Sequence, residues 1–397
     1  MGSTLFLLLI GLVMIYSASS VSDLVNTGDS AHHLKRQLMW IAAGLVLLIL
    51  VRRFDYRRLR AMSWPFYLVS LAGLVAVLAV GVSKWGAQRW LAVGSYTIQP
   101  SEYAKLACVM VTALMLTELK RREIVPKEFW GRLLLATSAV ILLVMLQPDM
   151  GTTMSIVVSV YLVLLLGGVN WGALMAIATA GAGLALGAVL IADYRAARLF
   201  AFLDPRADPQ GSGYQTIQSM LAFGSGGVDG VGLGMSRQKF FYLPAAHTDF
   251  IFAIIGEELG LIGTLAIVAG FVVFAYAGVR IALGTRDTFG RLLAGGMTAM
   301  IVTQALMNMA AVTGLMPVTG IPMPLVSFGG SSLTFTMLCV GIMLSISLHG
   351  TKGVRPVRTR TREGGRPQRA RSDERRRNGR THLSRVDGGR GSRRRGA

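Results

Sequence analysis

Apolar residues run along this chain in long blocks with few charges inside them, at about 4–19, 38–51, 64–82, 103–117, 133–147, 151–168, 172–191, 251–279, 292–314 and 333–348. A bilayer core takes roughly 20 residues of helix, with ~17 tolerated, so each block with its flanks predicts one membrane-spanning helix. The stretch around 147–151 divides two of them. Gln147, Pro148, Asp149 and Gly151 are turn-forming, and a single helix over 133–168 overshoots one span. The pattern therefore predicts an all-α polytopic membrane protein of about ten transmembrane helices. The first block lacks a basic lead and a small-residue cleavage site, and reads as a retained helix rather than a signal peptide.

The polar intervals set an orientation. The segment 52–60 carries five arginines, 120–132 carries five basic residues, and Arg280, Arg286 and Arg291 lie between the eighth and ninth blocks. Cytoplasmic loops are enriched in Lys and Arg, so these intervals and both termini are expected in the cytoplasm. The opposite intervals near 20–37 and 83–101 hold only Lys35, Arg36, Lys84 and Arg89. Residues 192–250 then form one large extracellular loop between helices 7 and 8. Connections beyond ~12–15 residues without regular structure are usually functional or disordered. This one predicts a short interfacial or re-entrant helix at 214–223, with Ile217, Met220 and Leu221 at helical spacing.

Composition agrees with the pattern: 53% of the 397 residues are hydrophobic and 15% charged, which excludes an ordinary soluble protein. The net charge of +20 suggests nucleic acid until it is divided. Residues 352–397 contain 17 basic and 4 acidic side chains, so most of the excess belongs to the C-terminal tail. Arginine-rich, poor in apolar residues and broken by Gly and Pro, the tail is expected to be a disordered basic cytoplasmic segment following a 1–351 transmembrane domain. Next to a membrane it suits anionic lipid head groups or acidic cytoplasmic partners better than nucleic acid. Each basic residue near such a surface contributes ~1 kcal/mol. Cys108 and Cys339 lie inside apolar blocks, so no disulfide framework holds the fold.

Ionisable residues near membrane depth are costly and mark functional sites by default. On the external side they are Arg89, Glu102, Lys105, Asp149, Asp249, Glu257 and Glu258. Glu102 and Lys105, three apart on one helix face, read either as a structural ion pair or, with Arg89, as a cationic site oriented by one carboxylate. Asp149 suits a helix N-cap. In His247-Thr248-Asp249-Phe250, Thr248 or Asp249 can cap the eighth helix, or Asp249 can serve as a general base beside a cationic loop. One of Glu257 and Glu258 is expected to face a polar interior. The run 230–234 (GVGLG) follows no strand and lacks a Walker lysine, so its glycines suit tight turns rather than a nucleotide. Ser331 or Ser332 is expected to cap the tenth helix. No zinc-ligand spacing or Ser/His/Asp series is present.

Seven runs, LVMIYSAS (12–19), GAQRW (86–90), QPSEYAK (99–105), QPDMGT (147–152), YQTIQS (214–219), LPAAHTDFIF (243–252) and PLVSFGGS (324–331), resemble the SEDS family of shape, elongation, division and sporulation proteins. They occur in family order over about 5–348, and the wording around 243–260 is closer to the division member than to the elongation member. The short N-terminal lead departs from the family pattern and leaves a longer natural start open. The resemblance implies a peptidoglycan glycosyltransferase that polymerises lipid II at the outer face of the bacterial cytoplasmic membrane, at the division septum. It implies a class B penicillin-binding protein and other membrane proteins of the division machinery as partners. It places the family's loop aspartate on Asp249 and its helix 4 site on Arg89, Glu102 and Lys105. His247, Thr248, Gln218 and Ser327, inside the matching runs, join the expected substrate-binding set.

The chemistry is compatible. Glycoside hydrolases need a carboxylic acid to protonate a poor leaving group and a second carboxylate beside it. A polyprenyl diphosphate leaves without protonation, so one base and positive charge suffice. Asp249 would take the acceptor hydroxyl proton for inverting attack, and Arg89, Lys105 and loop arginines such as Arg198 would hold the diphosphate. A divalent cation, Mg or Mn, can share that role, although the sequence contains no dedicated cage. The rivals are a lipid II flippase or transporter, an elongation-type polymerase and a non-catalytic scaffold.

Overall fold

Each of the ten apolar blocks falls on one helix. The computed structural model describes residues 1–350 apart from 85, 86, 95 and 192, and the basic tail lies outside the described residues. Among the described residues the helices are α1 (Gly2–Thr27), α2 (His32–Arg53), α3 (Arg58–Val80), α4 (Pro100–Lys120), α5 (Pro126–Leu146), α6 (Met150–Leu166), α7 (Trp171–Ile191), α8 (Asp193–Leu203), α9 (Tyr214–Gly226), α10 (Ile251–Gly284), α11 (Thr288–Val312) and α12 (Gly330–Gly350). Seven of these are long and apolar enough to cross a membrane: α1, α2, α3, α5, α10, α11 and α12. α6 and α7 contribute shorter apolar stretches. α4 has the length but carries Glu102, Lys105, Glu118 and Lys120.

Charge on α4 is tolerated because that helix is central. It is buried along most of its length and packs on α3, α6 and α11, while α11 also borders α10 and α12. α2, α3 and α5 instead turn most of their apolar surface outward, as helices facing lipid do. Small residues allow close packing: a Cβ on Gly11 of α1 would stand 2.7 Å from the Val326 backbone.

Three elements depart from the sequence reading. The interval 83–101 is not an open loop but the antiparallel strands β1 (Val82–Lys84), β2 (Ala87–Val93) and β3 (Tyr96–Ile98), in the order β1-β2-β3. Trp90, Val93, Tyr96, Thr97 and Ile98 are strand formers, and Gly94 turns the β2–β3 hairpin at φ 62°. The long loop contains the expected helix as α9, and α8 as well. Third, α10 is interrupted at Gly260 (φ 63°, ψ −159°).

That interruption follows from a crossing chain. The Glu257 and Glu258 carbonyls accept the Val231 and Gly232 amides at 2.9 and 3.0 Å, while the Leu261 and Ile262 amides reach the Gly227 and Val228 carbonyls at 3.0 and 3.3 Å. A Cβ on Gly260 would lie 2.3 Å from the Val228 oxygen, so only glycine fits. Gly230, Gly232 and Gly234 all adopt positive φ here, which is the turn-making expected of the GVGLG run.

Candidate active site

Asp249 stands one residue before the α10 N-cap position, Phe250, and does not cap the helix: no side chain caps α10, and among the described residues none donates a hydrogen bond to the Asp249 carboxylate. The turn leading to it is closed on the Ala245 carbonyl, which accepts the Thr248 amide at 3.0 Å and the Thr248 hydroxyl at 3.1 Å. Ala245 itself sits at φ 57°, an uncommon conformation for a residue with a Cβ. The Asp249 carbonyl accepts from Asn308 Nδ2 of α11 at 2.7 Å, and Gly320 backs the carboxylate, with room for a Cβ only 3.6 Å from Oδ2. Burial pushes the carboxyl up to about 6, against the pull of the Arg198 and Arg89 guanidinium charges and with a smaller push from Asp149.

Both arginines are fixed by carbonyls. Arg198 of α8 donates from Nη1 to Val318 O at 3.0 Å. Arg89 of β2 donates from Nε to Gln147 O at 3.3 Å and from Nη2 to Pro148 O, with Asp149 Oδ1 at 3.9 Å from Nη1. Arg89 is thus also ion-paired with Asp149. Asp149 is the N-cap of α6, accepting the Thr152 amide at 3.1 Å, and also accepts Gln99 Nε2 at 3.2 Å, which ties α4 to α6 at this end.

Glu102 and Lys105 lie apart from that surface. The Lys105 side chain is fully buried, donating to Glu102 Oε1 at 2.9 Å and Gln304 Oε1 at 2.6 Å, with the Phe335 ring 5.3 Å away. Gln304 Nε2 continues to Pro322 O at 3.0 Å, and Asn308 Nδ2 bonds Ile321 O at 2.8 Å besides Asp249 O. The pair is therefore the root of a polar ladder from α4 through α11 to the 320–322 backbone and the Asp249 turn. Among the described residues no ion pair joins Arg89 to Glu102, and Arg89 meets Asp149 instead.

The other expected residues are also accounted for. The Ser327 hydroxyl is buried and accepts the Met323 amide at 2.8 Å, so it serves a turn. The Thr248 hydroxyl is spent on Ala245. Gln218 is half-buried on α9. His247 packs against His33 and Phe328, with its carbonyl bonded by the Phe328 amide at 3.0 Å. Ser331 does not cap α12 but accepts the Gln99 amide at 3.0 Å. Both Glu257 and Glu258 are buried, against the expectation of one. Glu257 accepts from the Ser236 hydroxyl and the Arg237 amide (2.9 Å); Glu258 accepts from Ser17 Oγ (2.6 Å) and Lys239 Nζ (3.4 Å). Gln304 and Asn308 were missed, although two amides four apart in an apolar block carry a signal: both face one side of a buried helix.

Residues 1–352 match the model of the FtsW/RodA/SpoVE family of cell cycle proteins. The chain belongs to that family. The SEDS resemblance of its motifs therefore holds, and other comparisons agree. To this FtsW/RodA/SpoVE chain, stage V sporulation protein E of Bacillus subtilis is 42% identical over 348 residues, covering 87% of the chain and 94% of that relative. A probable peptidoglycan glycosyltransferase FtsW of Trichlorobacter lovleyi is 40% identical over 339 residues, covering 85% and 89%. Among solved structures, a chain of a peptidoglycan synthase complex matches this family member with a TM-score of 0.72 at 30% identity, covering 88% of it and 97% of that chain. The rod shape determining protein RodA of Thermus thermophilus matches with a TM-score of 0.66 at 26% identity, covering 88% and 95%.

Proposed function

We propose that this multi-pass membrane protein is a peptidoglycan glycosyltransferase that polymerises lipid II at the outer face of the bacterial cytoplasmic membrane. The observation that carries the reading is the half-buried Asp249 carboxylate, which no side chain caps and which burial pushes up to about 6 against the charges of Arg198 and Arg89, in a family whose relatives include named peptidoglycan glycosyltransferases. Asp249 takes the proton of the acceptor sugar hydroxyl of lipid II as that oxygen attacks the anomeric carbon of the donor glycan. The bond to the polyprenyl diphosphate breaks with inversion, and the diphosphate departs with the electron pair. Arg198 and Arg89 meet the charge that develops there. Glu102 and Lys105 act behind them, setting Gln304 and through α11 the position of the turn. Among the described residues no group of three His, Cys, Asp or Glu side chains is placed to hold a metal ion. A Mg or Mn ion arriving on the diphosphate is compatible with the site.

The proposed partner is a class B penicillin-binding protein, supported by the likeness to a chain from a peptidoglycan synthase complex. The division role, at the septum with other division proteins, rests on the wording of 243–260. Polymerisation of labelled lipid II by the purified pair tests the reading. Asp249→Asn is expected to lower it about 10²–10⁴-fold with folding and partner binding intact. Full polymer from that variant overturns the base assignment, and lipid II movement without polymer favours the flippase.

A further inference from the structure

At the corner between α1 and α2 a second group of ionisable side chains lies outside the ladder and the arginines. Asp23 is 2% exposed and accepts three hydrogen bonds, from Ser19 Oγ at 3.0 Å, from the His33 amide at 2.9 Å and from His33 Nδ1. The amide bond has a plain structural use. α2 has no side-chain cap at Ala31, and Asp23 supplies an acceptor for one of its unpaired first-turn N–H groups. Capping does not require the imidazole bond. The bond to the Asp23 carboxylate engages His33 at Nδ1 and holds the ring in one orientation.

The ring so held faces the turn that bears Asp249. The His33 and His247 centroids are 4.5 Å apart at a tilt of 50°, and the Phe328 ring meets His33 edge-on at 4.6 Å and His247 at 5.8 Å. The Phe328 amide closes the group by donating to the His247 carbonyl at 3.0 Å. The turn needs such support, because Ala245 holds a left-handed conformation that a residue with a Cβ rarely adopts and that persists only when its surroundings fix it. Asn308 fixes the inner side through the Asp249 carbonyl. His33 and Phe328 fix the outer side through His247.

We propose that the Asp23–His33 dyad is a positioning element for the reaction, holding the His247 ring and with it the turn that presents Asp249. The inference rests on the glycosyltransferase reading of that turn. Its chemical content is orientation, with no proton passed to substrate. Burial pushes the His247 imidazole down to about 4, so near neutral pH it packs as an uncharged ring.

Two readouts test it on full-length protein with its penicillin-binding partner. His33→Ala should lower the turnover number for lipid II polymerisation about tenfold, an effect of misplacement, with the apparent KM within about twofold. Amide hydrogen exchange across 244–250 should rise in the same variant. His33→Gln, which keeps an N–H to offer Asp23, should restore most of both. Asp23→Asn provides a second variant and should show a smaller change in the same direction. Wild-type turnover and exchange in His33→Ala overturn the inference, as does a loss carried by KM with exchange unchanged. If the wild-type pair makes no polymer the catalytic reading fails, while the exchange arm still decides whether the dyad holds the turn.

Discussion

Asp249 and the pair Glu257–Glu258 lie within ten residues of one another at the head of α10, yet they are treated in opposite ways. Glu257 and Glu258 are fully buried and surrounded by donors from the loop and from α1: Ser17, the Ser236 hydroxyl, the Arg237 amide and Lys239. Asp249 is half-buried, is bonded by no donor at its carboxylate among the described residues, and feels the charges of Arg198 and Arg89. A carboxylate whose lone pairs are occupied is a fastener. One left without donors in a partly dry place holds its proton affinity in reserve, which a general base requires.

The contrast can be broken most severely from the fastener side. Glu258→Ala leaves Lys239 buried beside an empty position and should cost about 3–5 kcal/mol, read as a large fall in thermal stability in detergent and in recovered protein. Next in size is the pH response. With the Asp249 carboxyl at about 6 when folded, above its ordinary 3.8, the base form is lost as pH falls through 6. Polymerisation should therefore drop about tenfold per pH unit below that point, and a profile flat down to pH 5 removes Asp249 from the role. The smallest effect is the reverse of a normal mutational loss. The folded state binds the Asp249 proton more tightly than the unfolded chain, so its contribution to stability is full below 3.8 and lost as pH rises through about 6. Asp249→Asn removes that penalty at neutral pH and should melt a degree or more higher than wild type, whereas Glu258→Gln should melt lower.

Much of this was legible in the sequence. Apolar blocks of span length force helices in a bilayer, and all ten blocks became helices. Asp249 was marked by a carboxylate where a basic loop enters an apolar block. What stayed hidden depends on partners distant in sequence. Nothing local says that Glu257 and Glu258 face residues 236–239, or that the Lys105 ammonium is taken up by Gln304 nearly two hundred positions away. Nor does the spacing of Arg89 and Lys105 reveal that a three-stranded sheet holds one on the surface while α4 buries the other. The break at Gly260 was hidden too, because a glycine inside an apolar block is common and only the crossing chain gives it a purpose.

That crossing bears on how the protein is assembled. A bilayer offers no water to an unpaired amide or carbonyl, so a spanning helix normally enters with its own ladder complete. α10 is interrupted: at Gly260 four of its backbone groups bond residues 227–232. The helix and the loop before it must therefore settle as one event, with the chain already threaded before α10 exists acting as the splint on which the helix is finished.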